Sequence, residues 1–141
     1  RHFVVAGRPA RLSLLTDISD RRRAEAALRE SEARYRYLFE SNPLPMWIYD
    51  YESLRFLAVN DAAVNLYGYS RAEFLAMTIL DIRPDDEARR LQQRLQTLNQ
   101  AENRSGIWQH RKKNGNIIHV DIVSHGFNYM GRRARLVLAS D

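Results

Sequence analysis

Two alternating runs, Ile107–Lys113 and Asn116–Phe127, flank the dipeptide Asn114-Gly115, and no other stretch constrains the fold as strongly. Asn-Gly supplies the two positive-φ positions of a tight reversal, and the period-two apolar spacing on both sides turns one face of each strand toward a core. The segment reads as an antiparallel hairpin, and a two-residue turn pairs residues whose numbers sum to 229. In that register His110 lies opposite His119, with Asp121 and His125 further along the same face.

A second hairpin comes earlier in the chain. Met46–Tyr51 and Phe56–Asn60 read as short strands around Glu52-Ser53-Leu54-Arg55, and residues 132–140 read as a last strand after a turn at Gly131. The stretch between the hairpins carries helix signals. Asn60 or Asp61 caps a short helix through Leu66, closed by Gly68 where a left-handed residue is needed. Ser70-Arg71-Ala72-Glu73 forms a capping box, and Thr78–Ile82 reads as one more turn. Pro84-Asp85-Asp86-Glu87 places proline and acids at the start of a helix expected to reach about Gln100, where the dipole favours them. Two hairpins separated by a helical insert predict an α+β domain, an antiparallel sheet covered on one face by helices.

The N-terminal region reads differently. Residues 10–16 alternate like a strand, and Ser19 or Asp20 then caps a helix running to about Glu40, before Ser41-Asn42-Pro43. Arg21, Ala24, Leu28, Ser31, Tyr35 and Leu38 recur at three- and four-residue steps, a narrow seam suited to a helix that pairs in a dimer without locking it. The alternative, in which the second half lies on its own domain through Tyr35, Leu38 and Phe39, stays open. The segment 3–17, FVVAGRPARLSLLTD, also echoes 127–141, FNYMGRRARLVLASD, with eight identities at a constant offset of 124. That period exceeds the roughly 20–50 residues of solenoid repeats and points to tandem domains. Residues 1–17 are then the terminal strand of a preceding domain, 18–40 a linker helix, and 41–141 a whole domain. A chain that opens at Arg1 is expected to be a piece of something longer.

Composition removes several classes of function. Cysteine is absent, which excludes disulfides, thiolate metal sites and thiol nucleophiles. No apolar run approaches the roughly 18 residues of a membrane span, so no membrane insertion is expected in this fragment. The net charge of +5 is dispersed and interleaved with acids, which reads as a solvated surface with no nucleic-acid site. The set His110, His119, Asp121 and His125 offers zinc-type ligands or a proton switch, but reads better as the wet face of the sheet opposite Ile118, Val120 and Ile122. No nucleophile stands with a base and an orienting partner, so the fragment is expected to be non-catalytic.

The strings FLAVNDAA at 56–63, GYSRAEF at 68–74, RKKNGN at 111–116 and RRARLVLASD at 132–141, in this order and spacing, resemble a PAS domain. TDISDRRRAEAALRESEARY at 16–35 is similar to the helix that links such domains, with Asp17-Ile18-Ser19 at the junction. The resemblance implies a five-stranded antiparallel sheet of order 2-1-5-4-3, with short helices on one face and an N-terminal linker helix. It implies a sensory module of a cytoplasmic bacterial two-component or similar signalling protein. Such a module relays a ligand or partner signal through flanking helices to an output domain such as a histidine kinase or a cyclic-di-nucleotide enzyme. A ligand-free dimerisation and coupling module is the alternative. Partners implied are a second copy, through the linker helix or the sheet, and neighbouring PAS and output domains.

The resemblance leaves the cofactor unknown. Flavin photochemistry through a cysteine is excluded by composition, and DDEARRLQQRLQTLNQ lacks the histidine that haem-binding relatives use. Pocket candidates implied by the likeness are Trp47 and Tyr49 from the first strand, Ile118, Val120 and Ile122 from the fourth, and Leu136 and Leu138 from the fifth. Leu66, Leu80 and Ile82 complete them from the helical side, and plain core packing explains each of these residues equally well.

Overall fold

The computed structural model describes residues 9–97 and 104–140, with side-chain surroundings for 17–96 and 106–140. The chain divides into two units, residues 1–38 and 39–141.

Helix α1 spans Pro9–Ser41. Its sequence is rich in Ala, Arg, Glu and Leu, strong helix formers. Pro43 disfavours a helical Asn42, and the Asn42 Oδ1 instead accepts from the Leu44 amide at 2.9 Å. The strand expected over 10–16 is helical here. A strand needs a neighbour for its amides and carbonyls, and among the described residues no strand pairs with this segment; a helix satisfies those groups internally. Ser19 and Asp20, expected as caps, therefore lie inside the helix, where Asp20 pairs with Arg23 one turn on. Residues 1–8, with the start of the echo, lie outside the described residues.

The second unit builds one sheet from β1 (Met46–Asp50), β2 (Phe56–Val59), β3 (Arg104–Arg111), β4 (Ile117–Tyr129) and β5 (Arg132–Ser140). Its order is β2-β1-β5-β4-β3, antiparallel throughout. Asp50 turns the first hairpin: its Oδ1 accepts from the Glu52 and Ser53 amides at 2.8 and 3.1 Å, and its Oδ2 from Arg132 at 3.1 Å.

The second hairpin departs from the expected register by one residue. The Gly115 amide donates to the Lys112 carbonyl and the Lys112 amide to the Asn116 carbonyl, each at 2.9 Å, with Gly115 at φ +91°. This is a three-residue loop with glycine in the left-handed position, so Arg111 faces Ile117, His110 faces Ile118 and Trp108 faces Val120. A one-residue slip exchanges the two faces of a strand. Trp108 and His110 consequently point into the core, and Ile107 and Gln109 point outward. The imidazole pair His110–His119 does not form, and among the described residues no cluster of three metal-ligating side chains exists.

Helices α2 (Asp61–Tyr67), α3 (Arg71–Leu75) and α4 (Asp85–Thr97) belong to the insert between β2 and β3. Asn60 caps α2, Gly68 closes it at φ +86°, and both halves of the Ser70/Glu73 capping box are made. The core they share with the sheet holds Trp47, Phe56, Tyr67 and Phe74, in edge-to-face contacts with ring centroids 5.0–6.1 Å apart.

β4 and β5 are joined by a turn through Met130 at φ 50° and Gly131 at φ 81°, with Tyr129 opposite Arg132. Both central residues of such a tight hairpin turn must take positive φ, which costs an L-residue with a long side chain about 1–2 kcal/mol. Met130 is almost fully exposed and gains no packing in exchange. Met130→Asn is expected to stabilise the domain by about 0.5–1 kcal/mol, since asparagine tolerates this conformation. A urea melt reads it as a higher midpoint at unchanged slope.

Candidate functional site

The inner face of the sheet is set by β1 and β5 pairing. Trp47 lies opposite Val137 and Tyr49 opposite Arg135, while Met46 and Ile48 lie opposite Leu138 and Leu136. The first set faces the helices. Leu136 and Leu138, expected to line a pocket, are therefore on the other face of the sheet, half-buried beside Met46 and Ile48. Both faces of β5 are apolar, and alternation alone does not say which one is inward.

Between the inner face and α4 lies a cavity of about 40 Å³. Trp47 and Tyr49 bound it from β1, Trp108 from β3, Ile122 and Ser124 from β4, and Val137 from β5. Ile79 and Arg83 contribute from the segment before α4, and Leu91, Arg94 and Leu95 from α4 itself. Of the expected pocket residues only Trp47, Tyr49 and Ile122 line it. Ile82 is fully buried in the core, with Leu80 and Ile118 packed against that core. Val120 and Leu66 instead border an open groove of about 660 Å³, together with Glu40–Pro45, Ala139 and Ser140.

Sequence patterning does not announce the buried polar groups in and around the small cavity. Arg135 is fully buried and donates from Nε and Nη2 to the Ser124 Oγ at 3.2 and 3.0 Å. Arg83 is 6% exposed; its Nη1 donates to the Ile79 carbonyl at 2.5 Å and its guanidinium lies 5.4 Å from the Trp108 ring centre. Among the described residues its Nε has no hydrogen-bond partner. Burial brings the Arg83 pKa down to about 10, so it stays charged at neutral pH. Burial pushes the Tyr49 hydroxyl up to about 12, against the pull of Arg135 and Arg83. No hydropathy rule places arginine on an inward face; the only sequence signal is that Arg135 shares its parity with Val137 and Ala139.

His110 is the other buried polar group. Its Nδ1 lies 2.6 Å from the Tyr67 hydroxyl, and its Nε2 has no hydrogen-bond partner among the described residues. Desolvation holds its pKa well below 6.5, with a further push from the charge of Arg83. The ring is neutral at pH 7.

A site of this size and lining suits a small polar molecule. A drug-sized or cofactor-sized ligand needs about 300–1,000 Å³, so the cavity as built does not fit a flavin or a porphyrin.

The comparisons with known proteins agree with this geometry. A profile of the PAS domain family matches residues 33–103, and the chain belongs to that family. The chain is 24% identical to the PAS domain of an HTR-like protein from Haloarcula marismortui, with a TM-score of 0.74 over 85% of this chain and 98% of that one. It is 26% identical to a domain of a sensory box sensor histidine kinase/response regulator from Geobacter sulfurreducens, with a TM-score of 0.69 over 81% and 96% of the two chains. Among curated proteins it is 25% identical over 118 residues to a methyl sulfide methyltransferase-associated sensor of Methanosarcina acetivorans. That match covers 84% of this chain and 12% of the relative's length. The fold is the PAS fold, and the class is that of sensory, non-catalytic signalling modules.

The buried imidazole makes stability depend on pH. Between its folded-state pKa and 6.5 the unfolded chain binds a proton that the folded chain excludes. Stability therefore falls as pH is lowered through this window, by up to about 1.4 kcal/mol per pH unit. His110→Gln keeps a hydrogen-bonding partner for Tyr67 and removes the titration. Denaturation midpoints across this range are expected to slope less in the variant than in the parent. Asp50 is a separate acid-sensitive group. Its pKa is lowered, first by the Ser53 amide, so its contribution is lost only as pH falls below 3.8 toward the folded-state value.

Proposed function

We propose that this chain is the signal-input module of a cytoplasmic signalling protein. It takes up a small ligand in the cavity against Trp47 and passes the change through its flanking helices to an output domain. The observation that carries the reading is a shared strand pair. β1 and β5 supply Trp47, Tyr49 and Val137 to the cavity wall, and the same pair is stitched to both ends of the domain. The Ala139 amide donates to the Pro45 carbonyl at 3.0 Å, and the Asn60 side chain, which accepts from the Met46 amide, donates to the Phe39 carbonyl at 2.9 Å. A ligand that shifts this pair is felt both where α1 ends and where β5 ends. Such small shifts are amplified when the element they bias has two discrete packings.

A dimer through α1 belongs to the proposal, because Leu28, Tyr35 and Leu38 of the heptad seam are exposed. Residues 1–17 as the end of a preceding PAS domain, and 18–40 as the linker between the two, are part of the same reading. The coupling-module alternative draws on one observation, the small volume left once Trp47 and its aromatic neighbours are packed.

Native mass spectrometry of the freshly purified chain, with a small-molecule screen on the same sample, separates the two. A stoichiometric small added mass or a saturable binder is expected. A bare chain with no binder favours coupling; Trp47→Ala would then cost about 3–5 kcal/mol of stability and gain no ligand. The dimer arm has its own measurement: Leu28→Glu is expected to shift sedimentation toward monomer, and an unchanged profile would remove α1 from the interface.

A further inference from the structure

The cavity has a charge imbalance that the sensory reading leaves unexplained. Arg83 is held by one backbone carbonyl and the face of Trp108, and among the described residues it has no ion-pair partner. The acid four residues on, Glu87, has other partners: its Oε2 accepts from the Gln109 amide at 2.7 Å, and both its oxygens lie within reach of Arg90. Ser124, the hydroxyl on the wall, already accepts from the Nε and Nη2 of Arg135. Among the described residues no carboxylate lines the cavity, whereas Arg83 does. Glu87 acts on Arg83 only through its field, with no contact between them, and a buried guanidinium with a free Nε is suited to a planar oxyanion, which it can meet through two parallel hydrogen bonds.

We propose that the ligand of this cavity is a small planar oxyanion, represented by a carboxylate of one or two carbons, whose charge is met by Arg83. This names the ligand class for the sensory reading and rests on it. Size sets the upper limit. A cavity of about 40 Å³ holds roughly three or four non-hydrogen atoms, given that one water-sized probe needs about 10–15 Å³. Chemistry sets the rest, with the cation on one wall and Trp47, Trp108 and Ile122 on the others for a methyl group or a carbon edge.

The chain has only two tryptophans, Trp47 and Trp108, and both line the cavity, so their two indole N–H signals report on it directly. The test titrates sodium acetate into the ¹⁵N-labelled chain, with ionic strength held constant by sodium gluconate, whose anion is too large to enter. Acetamide, of the same shape and without charge, is titrated in parallel. Saturable movement of both indole signals with acetate and none with acetamide is expected. Arg83→Met should weaken acetate by roughly tenfold or more, the worth of a charge-assisted hydrogen bond, without lowering the melting temperature of the unliganded protein. Equal responses to acetate and acetamide would overturn the anion assignment and leave the sensory pocket standing. No response to either would overturn it as well, and native mass spectrometry then decides the sensory reading separately. The wild-type comparison of the two probes stands even where the variant folds poorly.

Discussion

A single buried side-chain amide holds this domain's entrance together. Asn60 Oδ1 accepts from the amides of Met46 and Ala63, at 2.9 and 3.0 Å, and its Nδ2 donates to the carbonyls of Phe39 and Leu44, at 2.9 and 3.0 Å. These groups belong to the last turn of α1, the loop after it, the first residue of β1 and the first turn of α2. Each would otherwise be a backbone group denied water, and each unsatisfied group costs about 1–3 kcal/mol. An amide with two donors and a two-lone-pair acceptor is the side chain that serves all of them. Aspartate keeps the acceptor and loses the donors, so it frees the carbonyls of Phe39 and Leu44 while retaining the helix cap. The start of β1 depends on this junction, and so does the position of Trp47 one residue on.

From Trp47 the rest of the interior follows by pairing. Its place opposite Val137 decides which face of β5 is inward, and β5 decides the face of β4 through Ser124 opposite Val137. The elements themselves were legible because their signals are local: a cap at Asn60, a capping box at Ser70, glycine at 68, and alternating runs on both sides of Asn114-Gly115. The family likeness supplied the strand order, which no local signal carries. The faces were less legible. β5 reads Ala134, Leu136, Leu138 on one parity and Arg135, Val137, Ala139 on the other. The longer apolar side chains went outward because Met46 and Ile48 of β1 meet them there.

The hairpin shows how much one residue of loop length controls. Asn-Gly announces a reversal, and a two-residue turn is its commonest form. Here Lys112 and Asn116 close the loop one step earlier, with glycine as the third loop residue. That step moves His110 from the solvent to a contact with Tyr67 and moves Trp108 onto the cavity wall. α1 is the converse case. Its first turns alternate like a strand, but alternation describes only how side chains would be shared between two faces. It does not supply the neighbour that a strand's backbone requires.

The buried polar groups were the least legible part, for a physical reason. Arg83, His110 and Arg135 each break the rule that interiors are apolar, and sequence patterns are written from that rule. Burial of such groups costs stability unless hydrogen bonds or charges offset it. Replacing an unpaired buried charge with a packed apolar side chain is commonly neutral or stabilising. Arg83 lies on the cavity side, where an anion would offset its desolvation. The neighbouring imidazole is held neutral partly by that same positive charge. An anion that screens Arg83 would also ease protonation of His110, so one charge entering the cavity acts on a polar pair at the centre of the aromatic core. In the proposed reading, that local balance of charge is what a small anion would change.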